Sequence, residues 1–155
     1  MEEGAHLPVL LAETLAALAV RQGGFYIDGT VGAGGHAEAI LGACGPDGTL
    51  LGLDRDASAL ERARRRLAPH GSRAILRHAD FRRLPEILDE LGLGWADGLL
   101  LDLGVSSLQL DDPERGFSFQ KDGPLDMRMD PTRSTTAGLL ALRFSSMVMS
   151  PVTPL

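Results

Sequence analysis

The chain has 155 residues, 44% hydrophobic, 23% charged and 5% aromatic, with a formal net charge of −6. That balance excludes disordered, fibrous and membrane-embedded polymers and fits one soluble globular domain, large enough to bury about 68–70% of its extended surface without metal or disulfide staples. Its one cysteine, Cys44, allows neither an internal bridge nor a cysteine zinc cluster, which points to a reducing compartment, and the acidic balance speaks against holding nucleic acid by bulk electrostatics. The histidines at 6, 36, 70 and 78 show no ligand spacing, so no metal is expected. Met1-Glu2-Glu3 opens the chain and Glu13 interrupts the apolar run from Leu7 to Val20, a pattern of neither signal peptide nor membrane span; the expected location is cytoplasmic.

In chain order, residues 1–22 read as an amphipathic helix, with Leu10, Leu11, Leu15, Leu18 and Ala19 at helical spacing and Pro8 in its first turn. After Gly23-Gly24 comes a short strand, Phe25 to Asp28, then a glycine-dense turn through Gly35 and a helix from His36 to Cys44. A second unit follows: strand Thr49 to Asp54, then a helix from Ala57 to Leu67 capped by Asp56. Ala74 to His78 reads as a third strand ending near Asp80, residues 82–91 as a helix, and Asp97 to Asp102 as a fourth strand. Strands that are apolar throughout, alternating with helices, predict an α/β fold with an open, doubly wound, mostly parallel sheet covered on both faces. From Leu103 to Ser134 the sequence is turn-rich and charged and reads as a long functional loop; Ala137 to Met149 reads as a short apolar helix ended by Pro151.

The informative feature is positional. Asp28, Asp54, Asp80 and Asp102 fall at or just beyond the C-terminal ends of four successive strands, at intervals of 26, 26 and 22 residues. Open α/β sheets bind ligands in the crevice outside those ends. Four carboxylates gathered there require a cation or many hydroxyl donors, so the expected ligand is cationic and sugar-bearing. Gly32-Ala33-Gly34-Gly35-His36-Ala37 also fits the dinucleotide fingerprint G-x-G-x-x-G/A, with Asp54 about 20 residues on for ribose hydroxyls, which keeps a nicotinamide oxidoreductase in play. Against it, Asp28 and Asp102 would flank a pyrophosphate and repel it. S-adenosylmethionine suits acidic neighbours better, through its sulfonium, ammonium and ribose groups. Each aspartate alone could equally be a cap or strand terminator.

The strings His6-Leu7-Pro8-Val9-Leu10, Asp28-Gly29-Thr30-Val31-Gly32-Ala33-Gly34-Gly35-His36, Leu53-Asp54-Arg55-Asp56 and Leu101-Asp102-Leu103-Gly104-Val105-Ser106-Ser107 resemble the MraW/RsmH family. So does Asp112-Pro113-Glu114-Arg115-Gly116-Phe117-Ser118-Phe119, continuing from Lys121 to Asp130. The resemblance covers residues 6 to about 133 and implies S-adenosylmethionine-dependent methylation of the exocyclic amine of a cytidine in the decoding region of 16S ribosomal RNA. By that resemblance Gly34, Gly35 and His36 hold the amino-acid end of the cofactor, Asp54 the ribose and Phe81 the adenine side, while Asp102 and Gln109 close the pocket. Asp102 is also the candidate catalytic proton acceptor, with Ser106 or Ser107 as helpers. Phe117 or Phe119 could stack on a flipped base. The RNA, free or in the assembled small subunit, would meet Arg115, Lys121, Arg128 and Arg133 of the loop, whereas Arg62, Arg64, Arg65 and Arg66 read as a solvated helix face. From Ser134 the resemblance fades. Residues 1–134 are thus expected to be the N-terminal part of a methyltransferase domain and 135–155 a divergent apolar tail, as in a shortened reading frame that keeps the cofactor half-site and lacks much of the substrate half. A non-catalytic remnant that binds ligand or RNA without turnover is the remaining alternative.

Overall fold

Strands β1 (Phe25–Asp28), β2 (Thr49–Asp54), β3 (Ala74–His78) and β4 (Gly98–Leu100) form one parallel sheet in the order β3-β2-β1-β4. The computed structural model describes residues 10–140, so the expectations for Pro8 and for the helix running to Met149 lie outside the described residues, although 137–140 are helical. The chain divides into two compact units, Met1–Leu103 and Gly104–Leu155.

In the first unit, side chains alternate across the sheet as the pleat demands. Tyr26, Leu50, Ala74, Leu76 and Leu100 turn to one face and pack with α2 (Gly35–Ala43), α3 (Ala57–Leu67) and α1 (Leu11–Ala17). Ile27, Leu51, Leu53 and Ile75 turn to the other, where Ile87 of α4 (Leu84–Leu91) covers them. The open, doubly wound parallel architecture is the expected one. β1, β2 and β3 step outward in one direction and β4 returns to the opposite side of β1, which puts the topological switch between β1 and β4.

The boundaries of α3, its cap and the first three strands match the sequence pattern, and α2 runs one residue earlier at each end than expected; three other elements differ more. The opening helix stops at Ala17 instead of reaching residue 22, and Ala19 takes a left-handed conformation with φ 48°. The chain is drawn off the helix because Arg21 N donates to the Tyr26 hydroxyl at 2.9 Å and Gly23 N to Cys44 O at 2.8 Å. The helix expected over 82–91 opens with a 3-10 turn at Phe81–Arg83 before α4, whose first turn holds Pro85. β4 is shorter than the expected Asp97 to Asp102. At its start the Asp97 carboxylate accepts from Phe25 N at 2.9 Å and pairs with Arg21, and beyond Leu100 the ladder is handed to a side chain.

The second unit is turn-rich, as expected, but internally packed. Its short helix α5 (Ser107–Asp111) begins with a capping box formed by Ser106 and Gln109. Phe117 is buried and Phe119 fully exposed. Arg115 donates to the carbonyls of Arg128 and Met129 at 3.0 and 3.2 Å, while Arg128 grips both oxygens of Asp126 at 2.7 and 2.6 Å. These arginines satisfy backbone and carboxylate groups that a loop without strands would otherwise leave to water.

Candidate functional site

The parallel register sets Asp28 opposite Gly52 of β2 and Leu100 of β4, so the C-terminal ends of three neighbouring strands share one rim. Asp28 closes β1 and is 1% exposed. Its Oδ1 accepts from Thr30 N at 3.1 Å. Burial, reinforced by the negative charges of Asp54 and Asp102, outweighs that bond and pushes its carboxyl up to about 7. Asp54 closes β2 and spans two turns: Oδ2 accepts from Gly32 N and Oδ1 from Asp56 N, both at 2.8 Å. Each of its oxygens keeps further acceptor capacity, as ribose hydroxyls would need.

The third-strand acid stands differently. Asp80 is 8% exposed, takes both arms of Arg82 at 2.9 and 2.8 Å, receives Arg82 N at 2.9 Å, and has Arg55 at 3.4 Å. The bonds from Arg82 hold its carboxyl down at about 2. Its counter-cation is supplied by the protein itself, so the unbalanced acids of the rim are Asp28, Asp54 and Asp102 rather than all four. Asp102 lies two residues past β4, exposed, with its N–H on Thr30 Oγ1 at 2.7 Å.

The glycine-rich turn threads between these acids. Val31 N returns to Leu53 O at 2.9 Å, and Gly34, at φ 86°, starts α2 so close to α3 that a Cβ would lie 3.3 Å from Ala63 Cα. Only glycine carries the chain through that conformation at that separation. Gly35 and His36 follow, half-buried, in the first turn of α2. Phe81, half-buried, packs against the second core cluster, and its Cβ would lie 3.1 Å from a Cβ added to Gly29. Gln109 belongs to the second unit, buried, its carboxamide oxygen accepting from Ser106 N at 2.9 Å. The fold therefore brings Gly34, Gly35, His36, Asp54, Phe81 and Asp102 onto one unit with Asp28. Sequence reasoning left Thr30 out, although a hydroxyl two residues beyond a strand-ending aspartate, inside a glycine turn, is the signal that could have found it. Among the described residues, no group of three or more His, Cys, Asp or Glu is arranged to hold a metal ion, and no helix is long and apolar enough to cross a membrane.

A glycine turn and acids at the switch point of a parallel sheet define a Rossmann-like α/β fold. Solved structures with this fold include a protein-L-isoaspartate O-methyltransferase, at TM-score 0.52 and 20% identity over 63% of this chain and 30% of that one. NSun6 from Pyrococcus horikoshii is another, at TM-score 0.51 and 23% identity over 66% and 25%. At such identities the likeness speaks for the fold alone. The chain belongs to the MraW methylase family, whose profile matches residues 3–148. It is 59% identical over 132 residues to the ribosomal RNA small subunit methyltransferase H of Syntrophobacter fumaroxidans, covering 85% of this chain and 41% of that protein. It is 58% identical over 135 residues to the protein of the same name from Symbiobacterium thermophilum, covering 87% and 42%. The chain thus spans about two fifths of the length of these curated relatives. Family membership leaves the nicotinamide reading without support.

Proposed function

We propose that this chain carries the S-adenosylmethionine site of an enzyme that methylates the exocyclic amine of a cytidine in the decoding region of 16S ribosomal RNA, residues 1–134 forming that part of the methyltransferase domain. The carrying observation is the rim of the sheet, where Asp28 is buried beside the charges of Asp54 and Asp102 at the switch point. Burial beside two further carboxylates makes Asp28 hold its proton up to about pH 7, a cation arriving there would favour its ionised form, and a sulfonium cofactor that also bears an ammonium and a ribose matches that donor set. S-adenosylmethionine supplies, when bound, an electrophilic methyl group.

This chain's own groups then divide the work. The backbone of Gly34, Gly35 and His36 would hold the amino-acid end, Asp54 the ribose hydroxyls, and Phe81 the adenine face. Asp102 would close the cofactor pocket, orient the target amine and take up the proton it sheds on methylation; a carboxylate suits the last two tasks because the amine's lone pair is delocalised into its ring and needs help to react. Most of the remaining rate would come from fixing the nitrogen about 3–3.5 Å from the methyl carbon. Small-subunit ribosomal RNA is the inferred partner, free or in the assembled subunit, and the cytoplasm the inferred place of action.

The relatives' names and the agreement of long strings around Asp28, Asp54 and Asp102 support this reading. The test is transfer of a labelled methyl group from S-adenosylmethionine to small-subunit RNA or to subunits, alongside calorimetric titration of the chain with the cofactor. Saturable binding with label on a cytidine amine is the expected result. Binding without transfer would leave a ligand-binding remnant, and absence of both heat and thermal shift at millimolar cofactor would sink the site itself.

A further inference from the structure

We infer that Thr30 is a positioning residue, whose hydroxyl latches the end of β4 to the glycine-rich turn and so fixes where the Asp102 carboxylate stands. This rests on the reading of Asp102 as a cofactor and proton-acceptor group.

The latch replaces a missing rung. Gly29 N donates to Leu100 O at 2.9 Å, and in a regular parallel ladder the next bond would run from Asp102 N to the carbonyl of Gly29. There the first strand turns away into the loop, and Asp102 N instead meets Thr30 Oγ1 at 2.7 Å. The same threonine is held from its other side, its N–H donating to Asp28 Oδ1 at 3.1 Å. One residue therefore ties the buried acid of β1 to the exposed acid beyond β4. The neighbouring glycine permits the approach: a Cβ at Gly29 would fall 2.5 Å from Leu101 Cδ2, so the chain just past β4 runs directly against the turn at the residue before Asp102.

A purely structural role would predict a different balance of losses. Asp102 is exposed, so an amide released by Thr30 finds water, and the fold loses little. What is lost is the fixed direction of the carboxylate, which matters only to a ligand. Thr30→Val keeps the branched shape and the backbone N–H while removing the acceptor; Thr30→Ser restores it.

Calorimetric titration of S-adenosylmethionine into the full chain, with ligand-free melting of each variant, tests the latch. Thr30→Val should bind about three- to tenfold more weakly, with a ligand-free Tm within about 2 °C of the parent, and Thr30→Ser should bind like the parent. In the Asp102→Asn background the penalty of Thr30→Val should largely vanish, since residues acting as one unit are non-additive whereas independent structural losses add. Parent-like binding by Thr30→Val, equal losses in Thr30→Val and Thr30→Ser, or full additivity with Asp102→Asn would overturn the latch. If Asp102→Asn weakens binding while Thr30→Val does not, the latch alone falls. If the parent does not bind, or Asp102→Asn binds like it, the reading of the site falls and the latch with it.

Discussion

Asp28 is the residue at which the site and the stability of the fold conflict. Its carboxyl, pushed up to about 7 by burial, stands well above the ordinary 3.8, so the folded state holds a proton that the unfolded chain gives up. Below pH 4 both states are protonated and the position costs nothing. Between pH 4 and 7 the unfolded state is ionised and the folded state is not, so stability falls as pH rises, by up to about 1.4 kcal/mol per unit. Above pH 7 the folded chain carries the buried charge and the loss levels off. Asp28→Asn keeps an oxygen for Thr30 N and removes the charge. Melting curves of the variant and its parent should therefore coincide near pH 4, separate in the variant's favour as pH rises, and run parallel above pH 7. A gap independent of pH would show that Asp28 is not the titrating group. The same substitution should weaken cofactor binding, because the variant cannot ionise beside a cation as Asp28 can, and it would gain stability where the parent carries the buried charge.

At the scale of elements, α3 shows most directly how local chemistry sets structure. The Asp56 carboxylate oxygen Oδ1 accepts from Ser58 N at 2.9 Å, Ala59 N at 3.4 Å and Ser58 Oγ at 2.7 Å, so it takes donors that the helix itself cannot satisfy. Behind the cap, Ala59 is buried, and Leu60, Ala63 and Leu67 join Tyr26 and Leu50 of the sheet in one core cluster. Asp56→Ala should cost about 1–2 kcal/mol and Asp56→Asn only a few tenths, read as the shift in urea midpoint at unchanged slope. Equal losses from both would assign the effect to charge rather than capping. The limits of α3 were legible because cap and apolar stripe agree in the sequence. Those of α1 and β4 were not, because they are set by distant partners: the Tyr26 hydroxyl and Cys44 carbonyl pull residues 21–23 off the helix, and Thr30 takes the amide that would have prolonged β4. The acids at the strand ends could be read as a row from spacing alone. That Asp80 is neutralised from within rests on a local Asp-x-Arg turn, in which Arg82 reaches back two residues, and on Arg55, which meets it only after β2 and β3 pair.

Across the whole molecule, the distribution of positive charge constrains how an RNA partner could be held. The chain carries 15 Lys and Arg against 21 Asp and Glu. Arg143 lies outside the described residues, and each of the other basic side chains already has a partner. Arg64 and Arg65 flank Glu61, Arg66 meets Glu38, and Arg83 meets Glu86. Arg73 collects the carbonyls of Leu41, Gly45 and Gly48. In the second unit, where the sequence suggested phosphate contacts, Arg115 and Arg128 bind backbone carbonyls, Lys121 reaches Asp111 O at 2.6 Å, and Arg133 stands 3.6 Å from Asp130. Lys121 and Arg133 are exposed, and they could exchange these partners for phosphates at small cost, because exposed pairs are worth at most about 1 kcal/mol. Arg115 and Arg128 could not do so without unpicking the loop. On the proposed reading, then, the second unit offers an RNA phosphate two readily released cations, Lys121 and Arg133. With Lys121 and Arg133 neutralising about two phosphates, the logarithm of the affinity of this unit should fall against the logarithm of salt with a slope of about −1.4 for single-stranded RNA. Filter binding or fluorescence anisotropy between 50 and 300 mM salt, on the order of the usual working range, measures it. A slope of about −3 would mean that Arg115 and Arg128 release their carbonyls on binding and contact phosphates as well.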